Sequence, residues 1–298
     1  MSPEEPGIPA WLASRFDLAE GLAIITLSLD RDFGFRPGQN ATLWLTHRGR
    51  TVPRPYSIAS SPSQPRRLEF YLNLVAEGQM TPSLWDPEVI QALKAGDDRT
   101  SLAVTGPKGR FCLDPHDHRD LVFVASGTGL APFMSMIRQL DEDSRTDPDF
   151  RPRRIYLVHG VRHPAHLGYR KELEALASVS IGNPESRLGL VYLPTVSQPH
   201  LDPAWEGLKG RAESLLQCDA ESGRHRPRLE ATVSEMLCVL LRPETHAVYV
   251  CGHPGTVSNT VRILTARGYV PNKDVMSERY FPERPGAHRI TAAAEPGL

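Results

Sequence analysis

The 298-residue sequence predicts a two-domain β + α/β protein, an N-terminal antiparallel barrel followed by a C-terminal doubly wound parallel sheet. Three observations predict it. The first ~115 residues hold short β-rich runs divided at close intervals by glycine and proline. From Asp120 onward, continuous apolar runs alternate with helical stretches. Between the two rhythms lies a polar segment, Leu113 to Asp120 (LDPHDHRD), which reads as the boundary. The expected divisions are residues 1–117, residues 118–281 and a C-terminal extension, 282–298.

In the first half, Leu22 to Leu29 (LAIITLSL) is β-rich and partly alternating. Ala41 to Thr46, Leu68 to Val75 and Leu102 to Thr105 follow as strands, with Gly34, Pro37-Gly38, Pro62, Gly78 and Gly106-Pro107 between them. In the second half, Leu121 to Ala125 (LVFVA) has no polar alternation, as a strand buried on both faces requires. Helix Ala131 to Leu140, strand Ile155 to His159, helix His166 to Ala177 and strand Gly189 to Pro194 come next. Helix Glu230 to Leu241, strand Ala247 to Cys251 and helix Thr256 to Ala266 complete the series.

Composition narrows the function. A formal net charge of -1 supplies no overall basic field, so nucleic acid is not an expected partner. No apolar run reaches the ~20 residues of a membrane span, and MSPEEPGIPAWLAS has neither the basic start nor the apolar core of a signal peptide. The four cysteines (Cys112, Cys218, Cys238, Cys251) are far apart and form no CxxC pair, which argues against zinc or an iron–sulfur cluster within the chain. They read as free thiols of a cytoplasmic protein. The 11 histidines form no HExxH spacing, and His116 and His118 fall in the polar linker, so no metal site and no metal hydrolase is expected.

Three short strings carry chemistry. Arg54-Pro55-Tyr56-Ser57-Ile58-Ala59-Ser60 puts a cation, an aromatic ring and hydroxyls at one strand end. Ala125-Ser126-Gly127-Thr128-Gly129-Leu130-Ala131-Pro132 is a glycine-rich βα turn, where backbone approaches a ligand closely and helix-start N–H groups face it; as a bare string it also fits an ordinary tight turn. Val250-Cys251-Gly252 brings a thiol and a glycine to the carboxyl edge of a late strand. The run Leu157 to Arg162 (LVHGVR) has no acid at the strand end, and Arg162 there suits a ribose 2′-phosphate or a solvated loop.

Together with EGQMTPSL, GPKGRF and SERYFP, in this order and spanning roughly residues 16–281, these strings resemble the ferredoxin–NADP reductase superfamily, and within it the bacterial ferredoxin/flavodoxin–NADP reductases. The resemblance implies an FAD-binding barrel and an NADP-binding α/β domain. It implies that Arg54 holds the FAD diphosphate, that Tyr56 lies along the isoalloxazine and that Ser57 bonds near its hydride-accepting nitrogen. Gly78, Met80 and Thr81 would wrap the diphosphate, and Tyr71, Asn73 and Val75 would line the flavin. Gly127, Thr128, Gly129, Cys251 and Gly252 would face the nicotinamide. Tyr280 would cover the other flavin face, Phe281 would pack on the adenine, and Glu278 would assist proton traffic. Ser57, Cys251, Glu278 and Tyr280 are thus the expected catalytic set.

One position departs from the family's pattern. The arginine that often follows the serine after the third strand is Gln198 here, with Ser197 retained and Arg211 at the later basic position. Arg162 and Arg211 remain as anchors for a 2′-phosphate, so NADP(H) is the expected nucleotide, with NADH as the alternative. The implied activity is hydride exchange with NADP(H) and single-electron exchange with a separate ferredoxin or flavodoxin. An NADH-dependent reductase component of an oxygenase, a ferric-siderophore reductase and a non-catalytic flavin or nucleotide sensor are the rival readings. A monomer is expected, with a dimer as the alternative.

Overall fold

The computed structural model describes residues 7–96, 99–182, 186–218 and 228–280; Phe281 and the 282–298 extension lie outside the described residues. The first half forms one antiparallel six-stranded sheet. Its strands are β1 (Ile8–Ala19), β2 (Leu22–Leu29), β3 (Asn40–His47), β4 (Arg50–Ser57), β5 (Arg67–Asn73) and β6 (Thr100–Lys108), in the order β4-β3-β6-β1-β2-β5. Helices α1 (Thr81–Trp85) and α2 (Pro87–Ala95) lie between β5 and β6. Alternation sets the core. Ile25 and Leu27 of β2 stand opposite Phe70 and Leu68 of β5, and all four are buried. Leu43 and Leu45 pair in the same way with Val104 and Leu102. Each such side chain contributes about 1.5–3 kcal/mol on burial.

Two strands have no clear sequence signal. β1 is rich in alanine, serine and charge, and its ladder with β2 shifts register between Leu12 and Ser14 and again between Asp17 and Ala19. β4 contains Pro53 and Pro55, which break ladders; they are tolerated because β4 is an edge strand.

The second half is a parallel sheet of β7 (Asp120–Ser126), β8 (Arg153–Val161), β9 (Leu188–Val196), β10 (Leu208–Lys209), β11 (His246–Gly252) and β12 (Val275–Arg279), in the order β10-β9-β8-β7-β11-β12. Helices α3 (Ala131–Thr146), α4 (Arg170–Gly182), α5 (Arg228–Leu240) and α6 (Pro254–Ala266) connect or flank it. One face carries Phe123, Tyr249 and Cys251 into a core with Phe133 of α3. That core also takes in Phe111 and Tyr71, which come from the first half, so it crosses the domain boundary. The opposite face, with Val122, Val124, Val248 and Val250, packs under Leu237 of α5 and Val257 of α6. Strand order reverses at β7, which puts the ends of β7 and β11 beside a switch-point crevice.

The expectation of four free thiols is corrected. Cys218 and Cys238 form a disulfide with a Cα–Cα distance of 5.7 Å, and Cys112 and Cys251 are free. Ser234 of α5 donates from its hydroxyl to the Gln217 carbonyl at 2.6 Å, and Cys238 lies one helical turn further along α5, which brings it onto Cys218. A separation of 20 residues, set by tertiary packing, leaves no local signal of the pairing. Among the described residues no helix is long and apolar enough to cross a membrane, and no group of three or more His, Cys, Asp or Glu is placed to hold a metal.

Candidate active site

Parallel pairing builds the centre of the site. β11 lies between β7 and β12, so Cys251 has Ala125 on one side and Glu278 on the other. The Cys251 thiol donates to Glu278 Oε2 at 3.8 Å. The same oxygen accepts the Ser57 hydroxyl at 3.3 Å, from the last residue of β4 in the other domain. Immediately after β12, the Tyr280 backbone N–H donates to the Gly252 carbonyl at 2.9 Å. The four expected catalytic residues therefore meet at the junction of the two sheets.

Burial sets their protonation. It holds the Glu278 carboxyl above the ordinary carboxylate range, opposed by the hydrogen bonds from Ser57 and Cys251. Burial, reinforced by the Glu278 charge, pushes the Cys251 thiol well up, so it stays a neutral donor. The Tyr280 phenol is likewise pushed well up by burial. Cys112, a half-buried thiol, is raised by burial, opposed by the Arg36 charge and reinforced by that of Glu278.

The Gly127-Thr128-Gly129 string forms a 3-10 turn, Gly127–Leu130, between β7 and α3. Gly127 has φ +55. A Cβ on Gly129 would stand 2.4 Å from the Cys251 carbonyl oxygen, so this turn can lie against β11 only as glycine. Ser126 Oγ accepts the His253 N–H at 2.8 Å and ties the two loops together. Beneath them His159 is fully buried, with Nδ1 3.3 Å from Tyr192 Oη, and burial lowers its pKa to about 4. Neither Ser126 nor His159 was among the expected site residues. Ser126 adjoins the glycine string, whereas His159 sat inside a run that reads as an ordinary buried strand.

The first domain brings most of the expected flavin residues to its two sheet edges. β4 and β5 are the two edges of their sheet and form no ladder with each other. They are pinned at one end by Ala59 N–H donating to the Glu69 carbonyl at 2.8 Å. At the other end the Arg54 guanidinium donates to Gln79 Oε1 at 3.0 Å and to the Pro53 carbonyl at 2.7 Å. This holds a cation beside the Gly78–Thr81 turn, which Thr81 Oγ1 closes by accepting the Val75 N–H at 3.0 Å. Tyr56 is half-buried and edge-on to Phe70, with ring centroids 6.4 Å apart. An aromatic ring and a cation on one edge, beside the Gly78–Thr81 turn, suit the ring and the diphosphate of a dinucleotide flavin.

Other expected flavin residues are engaged differently. Met80 is fully buried in the barrel core, so only its backbone faces the turn. Asn73 ends β5 and is exposed. Tyr71 turns to the other domain, where its hydroxyl donates to the His166 carbonyl at 2.8 Å and accepts the Gly168 N–H at 3.2 Å. Strand alternation explains this, because Phe70 and Leu72 take the barrel core and leave Tyr71 on the outer face.

At the far edge of the second sheet, Ser197 N–H donates to the Val161 carbonyl at 2.9 Å and Gln198 N–H to the Arg162 carbonyl at 3.0 Å. Gly210 N–H donates to the Val196 carbonyl at 2.8 Å, which brings Arg211 to the same edge. Arg162 and Arg211 are exposed. A nucleotide spanning from the Cys251 junction to this edge would cross the carboxyl ends of β7, β8 and β9.

Groups suited to a flavin on one sheet, a switch-point crevice in the next and the Ser57–Glu278–Cys251 contact between them point to a flavin-dependent pyridine-nucleotide oxidoreductase. Residues 9–112 match the oxidoreductase FAD-binding domain and residues 123–262 the oxidoreductase NAD-binding domain. The flavodoxin/ferredoxin–NADP reductase of Escherichia coli (strain K12) is 32% identical over 228 residues, 76% of this chain and 77% of that protein. The chain belongs to the ferredoxin–NADP reductase family. The reductase component of phenol 2-monooxygenase from Pseudomonas sp. (strain CF600) is 28% identical over 280 residues, 93% of this chain and 67% of that protein. The chain spans about two thirds of the length of this relative and of the phenol hydroxylase P5 protein of Acinetobacter pittii (strain PHEA-2). In fold it is similar to a ferredoxin NADP+ reductase from Neisseria gonorrhoeae, solved with FAD and NADP, at TM-score 0.70 and 22% identity over 93% of this chain and all of that one.

Proposed function

We propose that the protein exchanges hydride with NADP(H) and single electrons with a separate ferredoxin or flavodoxin. The observation that carries the reading is the convergence of Ser57 from one domain with Cys251 and Glu278 from the other on one carboxylate oxygen. A bound flavin supplies a centre that takes two electrons together and releases them one at a time. Arg54 and the Gly78–Thr81 turn hold its diphosphate end, and Tyr56 and Tyr280 flank its ring. Cys251 and the Gly127–Gly129 turn seat the nicotinamide, and their close packing excludes water. Glu278, whose carboxyl burial holds above the ordinary carboxylate range, supplies or receives a proton through Ser57.

Arg162, Ser197 and Arg211 support NADP(H) as the nucleotide, because exposed guanidinium groups at this edge suit a 2′-phosphate. Gln198 in place of an arginine favours a second reading, an NADH-using reductase component of an oxygenase, in line with the likeness to the phenol 2-monooxygenase reductase. We place the protein in the cytoplasm as a monomer. The Cys218–Cys238 bridge counts against a reducing compartment, and that placement rests on the likeness to ferredoxin–NADP reductases.

The test is to purify the full chain, identify its flavin, and follow reduction of that flavin by NADPH and NADH separately. Bound FAD reduced faster by NADPH is expected. A protein that cannot be loaded with FAD overturns the reading, and a tenfold preference for NADH moves it to the second.

A further inference from the structure

Arg138 lies on α3, the helix that begins directly after the Gly127–Leu130 turn, and it reaches across to the other domain. Its guanidinium donates through Nη1 to the Ala59 carbonyl at 2.9 Å and to Glu69 Oε1 at 2.7 Å. Nε and Nη2 form a two-pronged pair with Glu172 of α4, at 2.7 and 2.8 Å. Tyr169 donates its hydroxyl to Glu69 Oε1 at 3.0 Å, and its ring lies 5.2 Å from the guanidinium carbon. The Arg138 and Glu69 side chains retain only 22% and 21% of their exposure, so the pair is largely shielded from solvent screening.

The partners matter more than the strength. Ala59 is two residues beyond Ser57, and Glu69 shares the outer face of β5 with Tyr71. One planar group therefore connects the helix behind the nicotinamide turn with the chain that presents Ser57 and with the β5 edge of the flavin domain. Two strand positions away the interface closes tightly. A Cβ on Gly168 would stand 2.5 Å from the Tyr71 ring, so that contact has no slack. These two contacts on β5 join the shared core around Phe111 and the Ser57–Glu278 bond in fixing how one domain sits on the other.

We propose that Arg138 is a positioning residue for hydride transfer: with Glu69 and Ala59 it sets the tilt that brings Ser57 and the flavin edges onto the nicotinamide turn. This rests on the proposed passage of hydride between the domains. It predicts a defect confined to the step that needs both domains in register. Arg138→Met and Glu69→Gln slow reduction of the FAD-loaded enzyme by NADPH by about ten- to a hundredfold, as a displacement near 1 Å does. The Kd for NADPH changes by less than about twofold, because the nucleotide edge is untouched. Reoxidation of the reduced enzyme by ferricyanide, which involves no nicotinamide, keeps its rate. Arg138→Lys, with one point charge in place of the fork, recovers part of the loss. Arg145→Gln, which removes an exposed pair with Asp141, leaves every rate unchanged.

The second measurement is independent of turnover. In the full chain without FAD, Glu69→Gln and Arg138→Met raise amide hydrogen exchange at Ala59 and at Gly168 together. If the wild type is not reduced by either nucleotide, the proposed function fails and the exchange result alone decides this inference. Unchanged reduction and unchanged exchange in both variants overturn it. So does a parallel loss of flavin, NADPH affinity and ferricyanide rate, which marks Arg138 as a general stability residue.

Discussion

Ser57 Oγ donates to Glu278 Oε2 at 3.3 Å across 221 residues of sequence, and the Cys251 thiol reaches the same oxygen from the neighbouring strand. One carboxyl group is thereby held from both domains, at the point where the flavin domain faces the nucleotide crevice.

Glu278 predicts an alkaline limb. Burial raises its pKa, so the acid form persists above the ordinary carboxylate range and disappears as pH rises through the raised value. Flavin-dependent turnover that needs this proton falls along the same limb. Glu278→Gln lowers the rate by about a hundredfold at mildly acidic pH and abolishes the limb, which a pH profile of kcat reads. The stability effect has a definite sign. The folded state holds this proton more tightly than the unfolded state, so its contribution to stability is complete below the unfolded pKa and is lost as pH rises through the folded one. The Tm advantage of Glu278→Gln over wild type is therefore larger at neutral pH than near pH 4.

Gln198 predicts a change in nucleotide preference. Its backbone is bonded to the Arg162 carbonyl, which places its side chain at the same edge as Arg162 and Arg211. Gln198→Arg adds a charge-assisted donor for a 2′-phosphate and raises kcat/KM for NADPH relative to NADH by about tenfold. An unchanged ratio places the 2′ position elsewhere.

The Cys218–Cys238 bridge predicts a count and a stability. Denatured, unreduced protein presents two reactive thiols, Cys112 and Cys251, and reduction raises the number to four. Closing a loop of this size contributes about 3 kcal/mol in the chain-entropy account, so Cys218→Ser lowers the denaturation midpoint measurably. Four thiols before reduction contradict the bridge.

Much of this was legible in the sequence because the signals were local. Phe123 and Val124 sit in a run apolar on every position, and the Gly127–Gly129 turn must be glycine where it meets Cys251. Order along the chain joined Arg54, Cys251 and Glu278 into one resemblance, although no single string required it. What stayed hidden depended on tertiary packing. β4 reads as loop because of Pro53 and Pro55, and only its place at the sheet edge makes them acceptable. Tyr71 lies on the outer face of β5, and no local signal named His166 and Gly168 as the partners of its hydroxyl. Arg138 sits in the helical run APFMSMIRQL, and nothing local named Glu69 and Ala59 as its partners.

The most direct test of the central claim is anaerobic mixing of the FAD-loaded protein with NADPH carrying deuterium at the transferred position. If hydride crosses the junction of Ser57, Cys251 and Glu278, the flavin bleaches in one fast phase that deuterium slows, and Cys251→Ala slows it by at least about tenfold with NADPH affinity little changed. A flavin that NADPH does not bleach, or a bleaching rate indifferent both to deuterium and to Cys251→Ala, would contradict the account.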